Sequence, residues 1–470
     1  MIQLAKSIII FSITIFCANA IDLTEQARKY IKCHSQFLNK RVDLNDPILI
    51  DLNSGKTDAK KACLQIISHA KFSKSGQLEN LDSKSFTVLN TFQNLHSSWF
   101  KLYNFNSDTQ DHSNTNVFDS NQAAYHFTLS LFGQSYPLNN IFLSSKTLKA
   151  KRVGNDENIF QNDRDISAIR SHLDGMHKRK WSVGGVQDNP TDFGETYLWK
   201  PELIEFGQLY AITELDSSTQ YFTRLKESKR IEGINLKKSR FPGAFGSISY
   251  LMLNAGHNNR TTDGAEKLHR RWAQNLFSDF LCRDLPLIKT EDATYSKNSK
   301  ISFRKKSSCM HCHLSIDPLA STIRNLEIFN AGEVFTGSFT FRAIQEHPAI
   351  HDFSDNLDKR DKYFFQRPPT GKLIFRDIYG KLISKKLSSP AQIGKELAKL
   401  DDPYICTASR YFEFLTGEKN LITENSFSIE NLTQKKEFIL ELAKELKESG
   451  DLSKVIGELI SSKFYVGVSP

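Results

Sequence analysis

Two cysteines separated by two residues and followed at once by a histidine occur once in this chain, as Cys309-Met310-His311-Cys312-His313. This spacing is typical of c-type haem attachment, in which two thiols form thioether bonds to the haem vinyl groups and the histidine binds the iron. A redox-active cysteine pair and half of a zinc site are the alternatives. However, no βαβ pattern accompanies the stretch, and no cysteine occurs between residues 313 and 406. We therefore predict one covalent haem c, anchored by Cys309 and Cys312, with His313 as the proximal iron ligand.

The first twenty residues have the pattern of an export signal. Lys6 supplies a positive charge, residues 7–16 are apolar, and Ala18-Asn19-Ala20 matches a cleavage site. The apolar part is too short to cross a bilayer, and no later stretch is long and apolar enough. We predict a signal peptide over 1–20, loss of Cys17 with it, and an exported, periplasmic protein without a transmembrane span. That location suits c-type haem, which is attached outside the bacterial cytoplasm.

Four further cysteines remain after removal of the signal: Cys33, Cys63, Cys282 and Cys406. An even number in an oxidising compartment favours disulfide bonds, and four cysteines allow three pairings. We predict Cys33–Cys63 within the N-terminal region and Cys282–Cys406 between regions. Four buried free thiols are the alternative.

The charge and length of the chain limit the classes of partner and architecture. The formal net charge of +9 is spread along 470 residues. It is suited to docking an acidic redox partner protein, although a solvated lysine-rich surface is the alternative. Dense basic patches interleaved with aromatic residues are absent from the sequence, so nucleic acid is not an expected partner. The length allows two or three domains, and the sequence gives no indication of the oligomeric state.

Apolar residues recur mainly at helical spacing, and one example is the stripe Trp272, Leu276 and Phe280. The predicted fold class is therefore mainly α, a multi-domain helical protein with a c-type cytochrome-like haem region and a small C-terminal β-hairpin around Tyr379-Gly380. The predicted helices cover about 22–40, 60–70, 121–132, 264–282, 390–400, 406–415, 437–447 and 451–465. The predicted regions are the signal peptide 1–20, an N-terminal helical region 21–110, a central helical domain 111–290, the c-type haem-binding region 291–365 and a C-terminal helical domain 366–470.

Local patterns after the motif lead to three narrower predictions. Pro318 is expected to end or redirect the motif helix, because proline interrupts helical hydrogen bonding. Residues 325–329 are expected to form a second short helix. Alternation around residues 335–341 indicates a strand.

Several stretches surround the motif in an order that resembles a known family. The motif followed by Ile316-Asp317-Pro318 is similar to the haem site of planctomycete-type cytochrome c domain proteins, which are large exported bacterial proteins with one C-x-x-C-H site. The further matching stretches are Leu268 to Pro286, Gly371 to Leu400 with Cys406, Tyr411 to Gly417, and Asp451 to Phe464. The likeness covers about 250–470, with a weaker likeness over 121–150. Leu319 departs from the glycine usual after Asp-Pro. The resemblance implies a covalent haem and an exported location, and it implies no particular activity.

The sixth coordination position of the iron has several candidates. Met310 lies inside the motif and cannot fold over the iron, whereas Met252 lies in an apolar stretch before the helix that precedes the motif. Met252 is the candidate distal ligand, with packing in the core as its alternative. An empty sixth site is another possibility. The rival histidines are His177, His257 and His269.

Three functions remain open at this point. A monohaem c-type protein that transfers single electrons in the periplasm is the first. A haem-dependent oxidoreductase or peroxidase with an open sixth iron site is the second, and an exported structural or binding protein with a structural haem is the third. The sequence identifies no catalytic residue, so whether the protein is an enzyme stays open.

Overall fold

The computed structural model describes the chain in segments. They are residues 23–100, 121–153, 181–183, 208–215, 219–225, 231–238, 243–254, 265–294, 297–300, 302–333, 340–346, 367–420, 422–423 and 425–466. The predicted signal peptide lies outside the described residues, and so does most of the polar stretch over 150–195. Within the described residues, every helix is too short or too polar to cross a bilayer.

Helices make up the N-terminal part of the chain. They are α1 (Glu25–Leu38), α2 (Pro47–Asn53), α3 (Ala59–Ser68) and α4 (Ser83–Ser98). Each begins where the side chain of the preceding Thr or Asp accepts a hydrogen bond from a backbone N–H of the first turn, which satisfies a donor that the helix itself leaves unpaired. The disulfide Cys33–Cys63 joins α1 to α3, as predicted from the sequence.

The central part combines a buried helix with strands. Helix α5 (Gln122–Phe132) is buried from Ala123 to Phe132, as expected for a helix whose residues are mostly apolar. The remaining elements are α6 (Asn140–Leu143), β1 (Thr147–Val153), β2 (Trp181–Val183), β3 (Gln208–Leu215), β4 (Thr219–Leu225), β5 (Ile231–Lys238), α7 (Ile248–Leu253) and α8 (Ala265–Leu281). Strands β1 and β3 pair in antiparallel fashion.

The motif lies in α9 (Ser307–Ala320), and two of the local predictions around it were wrong. Pro318 lies inside α9 rather than at its end. It falls in the last turn, where its missing N–H removes only the hydrogen bond to the carbonyl of Leu314. The carbonyl of Asp317 accepts from both the backbone N–H and, at 2.9 Å, the Oγ of Ser321.

The predicted short helix at 325–329 is instead the start of strand β6 (Leu326–Glu333), which pairs antiparallel with β7 (Thr340–Glu346). These two strands join a five-stranded sheet of order β2-β6-β7-β4-β5. Pairing with distant strands decided the structure here, and Ile328 and Phe329 are residue types that suit strands. Of the strand predicted at 335–341, residues 335–339 lie outside the described part, and Thr340 and Phe341 begin β7.

The C-terminal part follows the predicted order. It contains β8 (Gly371–Arg376), β9 (Leu382–Leu387), α10 (Pro390–Leu397), α11 (Asp402–Thr416), α12 (Gln434–Ser449) and α13 (Leu452–Ser461). Strands β8 and β9 form the predicted hairpin. Gly417 and Gly450 end α11 and α12 in the left-handed conformation, with φ of 79° and 68°. The second predicted disulfide, Cys282–Cys406, joins the end of α8 to α11.

The apolar side chains of these parts form a continuous core from Ala27 to Tyr465. A buried hydrogen-bonded group crosses it. His96 of α4 donates from Nδ1 to Thr128 of α5 at 2.8 Å, and its Nε2 accepts from the Tyr411 hydroxyl of α11 at 2.6 Å. The described structure is mainly helical, as predicted, and the domain boundaries proposed from sequence stay predictions.

Candidate haem-binding site

The residues of the motif lie on one side of α9. Cys312 and His313 follow Cys309 by three and four positions, and such residues are neighbours on a helix surface. The side chains of Cys309 and Cys312 are half-buried, and both thiols are unpaired. The other four cysteines of the described chain form the two disulfides. The two motif sulfurs are therefore partly accessible and uncommitted, as attachment to an outside group requires.

Local surroundings act on the thiol of Cys312. Burial raises the pKa of the Cys312 thiol, and the nearby Cys309 raises this pKa further. The neutral thiol of Cys312 is therefore favoured over the thiolate. A thiol carries the hydrogen that thioether formation adds to a vinyl group.

His313 is held through one of its two ring nitrogens. Nδ1 lies 3.1 Å from both carboxylate oxygens of Asp317, one helical turn further along α9. A carboxylate can only accept hydrogen bonds, so Nδ1 carries the proton in this contact. Within the described part of the chain, Nε2 makes no hydrogen bond and is therefore uncommitted.

Asp317 has a second partner from another helix. Arg270 of α8 donates from Nε to one Asp317 oxygen at 2.8 Å, and the other oxygen lies 3.4 Å from its terminal Nη2. The Arg270 side chain is about half exposed, whereas those of His313 and Asp317 are 23% and 22% exposed. The carboxylate is thus shared between a cation and an imidazole at the junction of α8 and α9.

An aromatic ring fixes the plane of the imidazole. Phe303, just before α9, stacks on His313 with ring centroids 4.2 Å apart and planes 27° apart. The guanidinium carbons of Arg270 and Arg304 lie 5.7 and 5.9 Å from the Phe303 centroid, within the range of cation–π attraction. The stack covers one face of the imidazole and restricts the rotation of its ring.

These residues fit a covalently bound haem. Two unpaired thiols at the required spacing and an imidazole with one nitrogen held and the other uncommitted are the donor set of such a site. Among the residues that the structure describes, no group of three or more Cys, His, Asp or Glu side chains is arranged to hold a metal ion alone. The zinc alternative therefore gains no second ligand pair from this part of the chain.

The candidates for the distal iron ligand stay predictions. Met252 belongs to α7, but its side chain lies outside the described residues, and so do His177 and His257. His269 lies on α8 beside Arg270 and is 1% exposed. Met310, excluded on sequence grounds, is buried at 8% exposure within α9.

Two other buried histidines have packing roles. Burial lowers the pKa of His96 and of His126 to about 3, so both are neutral at physiological pH. His96 is bonded to Thr128 and Tyr411, and His126 Nδ1 lies 2.7 Å from the Tyr136 hydroxyl. Both histidines are therefore explained as buried polar side chains that form hydrogen bonds within an apolar interior.

The sequence analysis missed the roles of Asp317, Arg270 and Phe303. Asp317 was detectable, because a carboxylate four residues after a histidine on one helix is placed to contact it. Arg270 and Phe303 gave no such signal, since their contacts depend on the packing of α8 and of the chain before α9.

The chain matches no known family model, no curated protein and no solved structure.

Proposed function

We propose that this protein is an exported c-type cytochrome-like protein that binds one haem covalently and transfers single electrons in the periplasm. The observation that carries the proposal is that the two thiols and one imidazole nitrogen of the motif have no other partner among the described residues. Cys309 and Cys312 are unpaired on one side of α9 while the other four described cysteines are paired, and His313 keeps Nε2 uncommitted. The resemblance to planctomycete-type cytochrome c domain proteins is part of this proposal.

The residues of the chain have separate roles in it. Cys309 and Cys312 anchor the haem edge, and His313 ligates the iron through Nε2. Bound haem c supplies a one-electron couple of the iron. Asp317 and Phe303 hold the orientation and plane of the His313 ring, so the ligand reaches the metal in a fixed position.

A basic surface beside the motif supports the proposal that the redox partner is an acidic protein. The exposed cations of this surface are Lys297, Lys300, Arg304, Lys305 and Lys306. No Asp or Glu occurs between residues 293 and 316, so the positive charge here is not neutralised by acids within the segment. Local charge of one sign guides an oppositely charged partner toward the adjacent redox centre.

Covalent attachment is tested by replacing both anchoring thiols. The full-length protein is produced in a host with the c-type maturation system, and haem is detected after denaturing electrophoresis and by the mass of the mature chain. We expect one haem per wild-type chain and none in the Cys309→Ser, Cys312→Ser variant. A matched variant, Cys33→Ser with Cys63→Ser, removes two cysteines elsewhere and retains the haem. Wild-type protein at its bare peptide mass would refute the proposal.

The spectrum of the iron separates electron transfer from substrate chemistry. Low-spin iron with two axial ligands supports electron transfer, whereas five-coordinate high-spin iron that binds cyanide supports an oxidoreductase or peroxidase. A sulfur-to-iron absorption band that disappears in Met252→Ala identifies Met252 as the distal ligand. An unchanged band excludes it.

A further inference from the structure

The carboxylate beside the candidate iron ligand has a role beyond haem attachment, and this inference rests on the proposed function. We propose that Asp317 is a positioning residue that fixes His313 with its proton on Nδ1 and lowers the reduction potential of the haem iron. Arg270 limits the size of that effect by sharing the carboxylate. The juxtaposition that carries the proposal is the series Arg270–Asp317–His313, with contacts of 2.8 and 3.1 Å.

The first step concerns the tautomer of the ring. A neutral imidazole carries its proton on one nitrogen, and only the other nitrogen can bind a metal. Both oxygens of Asp317 lie 3.1 Å from Nδ1, and neither can donate. The carboxylate therefore holds the proton on Nδ1 and leaves the lone pair on Nε2 before any metal is bound.

The second step concerns how firmly the carboxylate is held. Asp317 lies on the same helix as His313, one turn away, so the backbone sets their separation. Arg270, which lies on α8, contacts both carboxylate oxygens of Asp317. The last residue of α8, Leu281, precedes Cys282, whose disulfide with Cys406 attaches this helix to α11. The acceptor is thus fixed from two helices.

The third step concerns the electrons of the iron. A carboxylate that accepts a hydrogen bond from Nδ1–H increases the electron density on the imidazole, and the resulting stronger donor favours the oxidised iron. The positive charge of Arg270 acts on the same carboxylate in the opposite direction, because it draws the negative charge away from the histidine. Removing Asp317's charge and removing Arg270's charge should therefore shift the reduction potential in opposite directions.

The tautomer is tested without haem. Full-length protein labelled with ¹⁵N-histidine is produced in an oxidising compartment of a host that lacks the haem-attachment system. His313, assigned by its loss in His313→Gln, is expected as the Nδ1–H form in the wild type. In Asp317→Ala the Nε2–H form should gain at least tenfold relative to Nδ1–H. An unchanged tautomer ratio would overturn the positioning role, whether or not the protein binds haem.

The potential is tested in the haem-loaded protein. We expect Asp317→Asn, which keeps an acceptor oxygen and removes the charge, to raise the ratio of reduced to oxidised iron at a fixed poise about tenfold, equivalent to about 59 mV for one electron. Arg270→Gln should lower that ratio. The exposed Lys444→Gln on α12, which removes the same charge outside the haem-binding site, is the control.

For the inference to hold, Asp317→Asn and Arg270→Gln must shift the reduction potential in opposite directions. Shifts in the same direction, or shifts no larger than that of Lys444→Gln, would overturn the inference. Covalent haem in every variant would leave the proposed function standing. A wild-type chain that never acquires haem refutes the proposed function instead, and the tautomer measurement then still decides the role of Asp317.

Discussion

Single residues show where burial and charge are in conflict in this protein. Asp402 begins α11 and is 1% exposed. Its carboxylate accepts a hydrogen bond from the backbone N–H of Ile378 at 3.0 Å and lies 3.8 Å from Arg283. Burial raises the pKa of Asp402 to about 7, the charge of Arg283 lowers this pKa, and Asp377 raises it. The cost of burying the carboxylate thus outweighs its attraction to Arg283.

The raised pKa predicts a pH-dependent stability. The native chain keeps a proton on Asp402 that the unfolded chain releases above its usual pKa of 3.8. The free energy of unfolding therefore decreases as pH rises from about 4 to 7, with about 1.4 kcal/mol for each unit of pKa difference. In Asp402→Asn, which has no carboxyl proton to release, this decrease in the free energy of unfolding should be absent. Urea unfolding at pH 4.5 and pH 7 measures it, and a variant with the same pH slope as the wild type would contradict the prediction. Asp401→Asn, at the adjacent and more exposed carboxylate, is the control.

At the scale of elements, the helix that carries the motif depends on close packing against the C-terminal hairpin. Gly371 begins β8, and a Cβ at this position would lie 2.0 Å from the carbonyl oxygen of Pro318 and 2.8 Å from Thr322 Cγ2. The backbone oxygen cannot rotate away as a flexible side chain would. Glycine at 371 is therefore required for β8 to contact the end of α9.

Gly371→Ala should consequently push β8 away from α9. We expect the free energy of unfolding to fall by about 1–3 kcal/mol, as is typical of an overpacked contact, and the yield of covalent haem to fall with it because the motif helix is displaced. Chemical denaturation and haem content measure the two effects. The exposed neighbour Thr370→Ala should leave both close to wild type. Equal stability of Gly371→Ala and the wild type would show that the contact is loose.

Elements also show what the sequence could and could not predict. The C-terminal hairpin and the helices ended by Gly417 and Gly450 were predictable, because turn and capping signals lie within a few residues of the structure they determine. Residues 325–329 were predicted as a helix, but 326–329 form part of β6, since their pairing with β7 and the rest of the sheet depends on distant residues. Pro318 was expected to end a helix that tolerates it in the last turn.

The same distinction applies to the candidate site. Cys309, Cys312 and His313 were found because the motif is contiguous, and the contact of Asp317 with His313 follows from helical spacing. The Arg270–Asp317 ion pair spans 47 residues. It exists because α8 packs beside α9, and no local pattern in the sequence contains that information.

For the whole molecule, two disulfides restrain the unfolded chain to different extents. Cys33–Cys63 spans 30 residues within the N-terminal helices, whereas Cys282–Cys406 spans 124 and connects the region before the motif to the C-terminal helices. The chain-entropy treatment assigns a larger stabilisation to the longer loop, about 5 kcal/mol against about 4 kcal/mol.

Removing the two disulfides separately should therefore lower the free energy of unfolding by different amounts. We expect Cys282→Ala with Cys406→Ala to lower the free energy of unfolding more than Cys33→Ala with Cys63→Ala. Cys33, Cys63 and Cys406 are buried and Cys282 is half-buried, so the side chains lost are matched in type and nearly matched in burial. Denaturant unfolding of the three proteins under oxidising conditions measures the difference. A larger loss from the shorter loop would show that native packing at Cys33–Cys63, rather than loop closure, dominates.

The charge distribution around the motif predicts how the whole molecule would approach the proposed redox partner. Lys305 and Lys306 are exposed immediately before α9, whereas Lys444 and Lys454 are exposed on α12 and α13. If the basic surface docks an anionic partner, Lys305→Glu with Lys306→Glu should slow electron transfer to ferricyanide at low ionic strength. Lys444→Glu with Lys454→Glu changes the net charge equally, and it should slow the reaction less because only local charge near the haem steers the approach.

The dependence of the rate on salt concentration then distinguishes electrostatic steering from an altered reduction potential of the proposed haem. The screening length is about 30 Å at 0.01 M and about 8 Å at 0.15 M salt. The wild-type rate with ferricyanide should therefore fall as salt is added and converge on the rate of the Lys305→Glu, Lys306→Glu variant. With a cationic oxidant the order of rates should reverse, since the same charges then repel the reactant. Equal salt dependence of the two double variants would show that net charge, and not the surface beside α9, governs the encounter.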